Sequence, residues 1–165
     1  MGYVGYIGFH GPDLHFTLAI EDDYDGITCI DGQPTVSFDF KKLNPKNFGG
    51  GNFKMITTNL YHNTLPKNVV IYVEITPPIN MPRSVFARRL IDRALNFGSY
   101  TSVYSVPKRL YGENMLDREY NSSSYLAGLL NAVMGFVPKL ETPGYSTPGW
   151  ENPMPSHFFK GEAIK

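Results

Sequence analysis

The sequence predicts an α+β domain in which an antiparallel β-sheet of about five strands packs against two main helices. Residues 14–20 alternate apolar and polar side chains, which is the period of a strand with one buried face. Residues 69–76 form a short, mostly apolar and β-branched run, which is typical of a strand. Residues 83–97 and 122–134 instead repeat apolar side chains at helical spacing. Together these periods indicate a mixed fold.

Short β-prone segments occupy most of the first half of the chain. In addition to residues 14–20, strands are predicted at residues 3–9, 27–30, 35–40 and 54–61. Asp31-Gly32 is a pair typical of a hairpin turn. Because Val69–Thr76 is apolar on both of its faces, it is predicted to be a central strand of the sheet.

The two helices carry their own start and stop signals. The helix over 83–97 follows Pro82, which a first helical turn accepts, and Gly98 is its predicted end. The helix over 122–134 is predicted to end at Gly135, whose missing side chain allows the left-handed conformation of a helix cap.

Length and composition indicate one domain with a substantial core. The chain has 165 residues, of which 42% are apolar and 14% aromatic, so residues 1–165 are predicted to form a single domain. Residues 139–165 are rich in proline and are predicted to form a wrap or tail. Trp150, the sole tryptophan, is expected to anchor residues 139–155 to the body, with about 2–3 kcal/mol from its burial. An exposed Trp150 would instead indicate a surface for a partner.

Charge and cysteine content exclude two classes of function. The 15 basic residues balance the 15 acidic ones, so the basic excess of a nucleic-acid-binding protein is missing and no nucleic-acid partner is expected. Cys29 is the single cysteine, which excludes an internal disulfide and a multi-cysteine zinc site. In its predicted strand, Cys29 is expected to be a small buried residue.

The N-terminus lacks the features of a targeting sequence. It has neither the basic start nor the continuous apolar stretch of a cleavable signal peptide, and no segment approaches the ~20 apolar residues of a transmembrane helix. The chain is therefore expected to be cytoplasmic in the producing cell, or to be exported without a cleavable signal. No transmembrane segment is expected.

The histidines do not suggest a metal site. His10, His15, His62 and His157 form neither an HxxxH pair nor an HxH triplet, so no metal ligands are assigned. No cofactor is expected either. A glycine run at 49–51 lacks the residues that accompany phosphate-binding loops.

Two short segments can carry chemistry. His15 lies on the polar side of the strand over 14–20, where a half-exposed structural histidine is the simplest interpretation. Asn121-Ser122-Ser123-Ser124 leads directly into the second helix. A hydroxyl at that position can be an N-cap. It can equally be a nucleophile that uses the positive end of the helix dipole and the N–H donors there.

The segment Asn121–Tyr125, with Leu129, Gly135 and Pro138 downstream, resembles the Asn-Cys-x-x-Phe motif of circularly permuted papain-like hydrolases. These include the PPPDE peptidases and the lecithin:retinol acyltransferase-like proteins. In that group a histidine on an early strand precedes the helix that bears the nucleophile, as His15 precedes Ser122. Together with Pro148-Gly149-Trp150, the pattern is also similar to C-terminal domains of bacterial Rhs-type polymorphic toxins.

The resemblance implies an acyl hydrolase or acyl transferase that acts on an amide or ester bond, as a secreted effector or toxin domain. Ser122 takes the place of the nucleophilic cysteine, and His15 acts as its base. The backbone N–H of Ser122 or Ser123 faces the oxyanion. Asn121, Thr28 and Asp31 are candidates for the residue that orients the imidazole. The ring nitrogen of His15 is expected roughly 3–4 Å from the Ser122 oxygen.

Ser122 departs from the family pattern, and three explanations compete. It can be a natural serine nucleophile, the remnant of a lost active site, or the replacement of an active cysteine. A protein or lipid substrate is implied if the site is active, with an immunity or host protein as a further partner. The alternative is a non-catalytic papain-like fold that binds a protein partner through exposed tyrosines. A structural or sugar-binding β domain fits less well, because two helices are predicted.

Overall fold

The computed structural model describes residues 3–7, 16–22, 26–34, 56–64, 71–97, 103–104, 119–142, 144, 147 and 149–160. Within them, the strands are β1 (Tyr3–Ile7), β2 (Phe16–Asp22), β3 (Gly26–Pro34), β4 (Ile56–His62), β5 (Ile71–Glu74), β6 (Val103–Tyr104) and β7 (Glu119–Tyr120). The helices are α1 (Arg83–Leu95) and α2 (Ser122–Met134), with a short 3-10 turn at Ser156–Phe158. The predicted α+β class, an antiparallel sheet packed against two helices, is confirmed.

The main sheet has the order β4-β3-β2-β1-β5 among the described strands, and each neighbouring pair is antiparallel. β6 and β7 form a separate parallel pair. The register pairs Leu18 with Ile30 and Ile30 with Leu60, so these three residues share one face. That face packs against the helices, and we call it the inner face of the sheet.

The alternation of apolar and polar side chains over residues 14–20 correctly predicts which side chains of β2 lie on the inner face. Phe16, Leu18 and Ile20 are all buried in the core, with 2% of each residue exposed. Leu14 and His15, which precede Phe16, lie outside the described residues. The predicted strand over 35–40 lies outside them as well.

Among the described strands, Val69–Thr76 is not central, contrary to the prediction. Its described part forms β5, which lies at the end of the strand order and pairs with β1. Ile71 and Val73 pack on the core, whereas the Tyr72 side faces outward with 59% exposure. A run of β-branched and apolar residues reports strand propensity, and it does not distinguish burial on one face from burial on both.

The predicted hairpin turn at Asp31-Gly32 is also wrong, because both residues lie inside the nine-residue strand β3. The glycine has a packing role instead. Tyr125 of α2 lies directly over Gly32, and a Cβ at Gly32 would come within 2.6 Å of Tyr125 Cβ. Asp31-Gly32 is a pair that commonly forms a hairpin turn. Here its glycine instead allows a helix to approach the sheet closely.

Both helices begin where the sequence predicts. α1 ends at Leu95, two residues before the predicted end, and its C-cap is Asn96, whose backbone N–H and side-chain amide both donate to Asp92 O. The predicted stop Gly98 lies outside the described residues. α2 spans the predicted residues and ends at Gly135, which has the left-handed φ of 84°.

An aromatic cluster joins the C-terminal end of α1 to α2 and to the C-terminal segment. Phe97, Tyr125 and Phe159 lie with ring centroids 4.9–5.3 Å apart in tilted or edge-to-face arrangements. Tyr125 also reaches the sheet, because its hydroxyl lies 2.6 Å from Thr58 Oγ1. Since Thr58 donates its own proton to Ala94 O of α1, the Tyr125 hydroxyl donates to Thr58.

The described part of the Pro-rich tail packs on the body, as expected. Trp150 is half-buried, its ring lies 5.1 Å from that of Phe16, and its Nε1 donates to Pro138 O at 3.0 Å. Farther along, Met154 and Phe159 are completely buried in the core. The tail thus completes the side of α2 that the sheet does not cover.

We expect the Gly32→Ala substitution to lower the free energy of unfolding by about 2–3 kcal/mol, because the added methyl group overlaps Tyr125. Gly135→Ala is the matched control, since its Cβ has no neighbour within 4 Å and only the left-handed φ is penalised, by about 1 kcal/mol. Urea denaturation of both variants provides the measurement. A smaller loss for Gly32→Ala than for Gly135→Ala would contradict the close packing of Tyr125 on the sheet.

Candidate functional site

The predicted nucleophile lies at the first residue of α2, in a turn that is closed to solvent. Asn121 and Ser122 are each 5% exposed, Ser123 is 1% exposed and Ser124 is completely buried. The first N–H groups of an α-helix lack acceptors within the helix, so a buried start must satisfy them in other ways. Polar residues are therefore concentrated at this turn for a structural reason as well as for any chemistry.

Asn121, rather than a serine hydroxyl, is the N-cap of α2. Its Oδ1 accepts the backbone N–H of Ser124 at 3.0 Å and lies 3.3 Å from the Ser124 hydroxyl. The same hydroxyl donates to Gly149 O at 3.1 Å. The capping role at this helix start therefore belongs to Asn121 and Ser124, and not to Ser122.

The start of α2 lies over the end of the sheet at which β2 begins. Tyr125, one helical turn after Ser122, packs on Gly32 of β3. Because β2 and β3 are antiparallel and Leu18 pairs with Ile30, Gly32 lies opposite Phe16, the first residue of β2. Leu126 lines the same small apolar pocket as Phe16 and Trp150. His15 directly precedes Phe16 in the sequence but lies outside the described residues, so the predicted distance between His15 and Ser122 stays a prediction.

All three candidate orienting residues have other partners, and that of Asn121 is Ser124. Thr28 Oγ1 lies 3.1 Å from Nδ1 of His62, an exposed residue beside it on the inner face. Asp31 alternates with Ile30 and Gly32 and therefore points to the outer face of the sheet, away from α2. Of the three candidates, only Asn121 adjoins Ser122.

Asp31 is the centre of a polar cluster on the outer face that sequence reasoning missed. It is 4% exposed, and its carboxylate accepts from Asn59 Nδ2 and Gln33 Nε2, both at 2.9 Å. Thr17 Oγ1 adds a longer contact of 3.4 Å. These neutral donors stabilise the buried carboxylate. The alternation of polar residues along β3 and β4 is the signal that could have revealed the cluster.

Cys29 neighbours this cluster and is not a reactive thiol. Burial raises the pKa of Cys29 and the nearby Asp31 carboxylate raises it further, although a hydrogen bond with Tyr61 lowers it. The thiol is completely buried and donates to Thr64 O. A buried thiol with a raised pKa is a poor nucleophile. The expectation that Cys29 is a small buried residue is confirmed.

The described residues give no sign of a metal site or a membrane segment. No group of three or more His, Cys, Asp or Glu residues in this part of the chain is placed to hold a metal ion. Neither described helix has both the length and the apolar character needed to cross a membrane.

Comparison of the chain with protein-family models, with curated proteins and with solved structures found no match. Any functional argument therefore depends on the residues themselves.

We expect Asn121→Ala to lower the free energy of unfolding by about 1–2 kcal/mol, because the Ser124 N–H loses its acceptor. Asn121→Asp keeps an oxygen at that position and adds a charge that the helix dipole favours, so it should retain most of the stability. Thermal or urea denaturation distinguishes the two variants. Equal losses would show that capping is not the contribution of Asn121.

We also expect the protein to lose stability as the pH rises above about 9. Burial, the largest cause in each case, raises the pKa of Cys29, Tyr61 and Tyr125. Their folded forms therefore keep protons that the unfolded chain releases from about pH 9 for the thiol and about pH 10 for the phenols. The stabilisation is complete below those values and is lost as the pH rises through the raised pKa values.

Thermal unfolding between pH 7 and 11 measures this effect. Tyr125→Phe should flatten the alkaline decline, whereas Tyr72→Phe, at an exposed ring, should leave it unchanged. An identical decline in Tyr125→Phe and the parent protein would contradict a contribution from Tyr125.

Proposed function

We propose that this chain is an acyl hydrolase or acyl transferase with a permuted papain-like fold, in which Ser122 is the nucleophile and His15 the general base. The substrate contains an amide or ester bond, in a protein or a lipid. In this proposal the domain acts as a delivered effector or toxin, and an immunity protein or a host protein is its further partner.

The position of Ser122 is the observation that carries the proposal. Ser122 is the first residue of a buried helix, yet Asn121 performs the capping that a serine there commonly provides. That turn lies over the end of the sheet at which β2 begins, and His15 is the residue immediately before β2. The proposal requires the chain before β2 to direct the His15 ring toward this turn.

The chemistry follows from these two groups. As the Ser122 Oγ bonds to the carbonyl carbon, His15 takes the hydroxyl proton and the carbonyl π electrons move to the oxygen. When the tetrahedral intermediate collapses, the bond to the leaving amine or alcohol breaks, and His15 returns the proton to the leaving group. Water, or an acceptor hydroxyl or amine, then attacks the acyl-serine in the same way and restores Ser122.

The helix start also supplies the electrostatic part of this reaction. In this proposal the backbone N–H of Ser122 or Ser123, in the first turn of the helix, faces the oxyanion. Donors aimed at a developing oxyanion commonly contribute about 3–4 kcal/mol to the transition state. A serine is almost entirely un-ionised at neutral pH, so its reaction requires the base more strongly than a cysteine would.

The alternative is a non-catalytic binding module with the same fold. Exposed apolar side chains support this alternative, because Tyr72 is 59% exposed and Ile79 is 92% exposed. Such residues can contact a protein partner, but exposed apolar side chains that occur singly are common on monomers as well.

A substitution series distinguishes an activated nucleophile from a structural serine. We expect Ser122→Cys to react with iodoacetamide at least about tenfold faster than the parent protein, whose only thiol is the buried Cys29. Adding His15→Ala should remove most of that gain, because the thiolate loses its partner. His157→Ala, at an exposed histidine of the C-terminal 3-10 turn, is the matched control and should retain the gain.

Two results would contradict the proposal. In the first, the alkylation rate of the Ser122→Cys protein is no higher than that of Cys29 in the parent. In the second, the alkylation rate of Ser122→Cys is the same whether or not His15→Ala is added. Either result removes the activated nucleophile and favours the binding module.

A further inference from the structure

β1 carries a glycine at a position where both neighbouring strands have apolar side chains. Gly5 pairs with Leu18 of β2 on one side and with Val73 of β5 on the other. Directly paired residues lie on the same face of a sheet, and Leu18 and Val73 both pack in the core, so all three positions belong to the inner face. Because glycine has no side chain, the inner face has a slot between Leu18 and Val73.

The slot has the width of one hydrocarbon chain. Neighbouring strands are about 4.8 Å apart, so the Cα atoms of Leu18 and Val73, which are two strands apart, are separated by roughly 10 Å. Side chains stand nearly perpendicular to a sheet, which leaves the space above β1 open. Carbon atoms in contact are about 3.5–4.0 Å apart, so one row of carbons between the two side chains requires about 7–8 Å. A single row of methylene groups therefore fits.

A small apolar pocket lies at this place. Leu18 and Val73 both line it, and Leu126 of α2 covers it from the side of the helix. These core leucines are almost completely buried, whereas Leu140 and Trp150, on the side of the C-terminal segment, are only half-buried. The pocket therefore approaches the surface on the side of Leu140 and Trp150.

The lining of the pocket favours an apolar occupant. None of the described residues around it presents a polar atom to it. A water molecule there would lack hydrogen-bond partners, whereas small apolar molecules enter such cavities. An unfilled slot also costs stability, because the surrounding side chains lose dispersion contacts and because glycine is unfavourable within a strand. A glycine inside a strand often marks a place that a ligand approaches closely.

We propose that the slot over Gly5 is a binding site for the short, unbranched aliphatic chain of a small molecule. The chain lies along β1, with Leu18 and Val73 at its two sides and α2 above it. Trp150 contacts the bound chain at the open side of the pocket. Binding there requires no reaction at Ser122, so this inference does not rest on the function proposed above.

Titration of the full chain with linear 1-alkanols, from 1-propanol to 1-octanol, tests this site. Trp150 is the only tryptophan, so its fluorescence emission reports occupancy of the pocket. We expect a saturable change of this emission and a rise of the thermal unfolding temperature with alkanol concentration. The affinity should increase about fourfold with each added methylene until the slot is full, and then level off. Cyclohexanol, which is too wide for the slot, should bind at least about tenfold more weakly than 1-hexanol.

Two substitutions fill the slot from different sides. Gly5→Ala places a methyl group on its floor, and Val73→Phe extends one of its walls across it. Each should weaken the binding of 1-hexanol at least about tenfold. Gly5→Ala should do so without a loss of stability, because alanine is the better strand residue and fills empty space. Tyr72→Phe is the matched control. Tyr72 neighbours Val73 but is exposed on the outer face, so this variant should bind 1-hexanol like the parent protein.

Three results would overturn the site. The first is the absence of a saturable emission change with every alkanol in the parent protein. The second is undiminished binding of 1-hexanol in a folded Gly5→Ala or Val73→Phe protein. The third is binding of cyclohexanol as tight as that of 1-hexanol, which would show an irregular cavity and not a slot for a chain. The first and third results come from the parent protein, so they decide the matter even where a variant does not fold.

Discussion

The enclosure of α2 is the constraint on which the rest of the structure depends. The sheet covers one side of this helix, α1 a second and the C-terminal segment a third, so its first nine residues are all buried. Two close backbone approaches make this possible. Gly32 admits Tyr125 to the sheet, and Gly128 admits the backbone of Met154. Each approach brings large apolar groups together, and each of the aromatic pairs at Tyr125 adds about 0.5–1.5 kcal/mol beyond its buried area.

That enclosure explains the polar character of the helix start. A helix end that faces water can leave its N–H groups to solvent, but a buried one must satisfy them with protein groups. Asn121 caps Ser124 for this reason, and Gly149 O receives the Ser124 hydroxyl. Ser122 sits in the same turn without a capping role. Structural demand thus accounts for the polar side chains of Asn121 and Ser124.

The two faces of the sheet are specialised in different ways. On the inner face, Phe16, Leu18 and Ile30 pack against the helices, whereas the outer face around Asp31 buries a carboxylate among amide and hydroxyl donors. Burying that charge is tolerated because its hydrogen-bonding capacity is used. The arrangement keeps Asp31 on the side of the sheet away from Ser122. Cys29 shares the outer face, where burial suppresses its ionisation, and neither residue belongs to the proposed dyad.

The sequence alone determined the features that depend on near neighbours in the chain. Alternation in β2 reveals its buried face, and the start and the glycine stop of α2 are set by contacts within a few residues. Tertiary structure decided the rest. Only the strand order placed β5 at the end of the described part of the sheet, and only the approach of Tyr125 explained Gly32 inside β3. The burial of Ser122 and the contact of Gly149 with Ser124 also arise from residues distant in sequence. Local spacing specifies which side of an element is apolar, but the partner that covers that side is selected by packing across the whole chain.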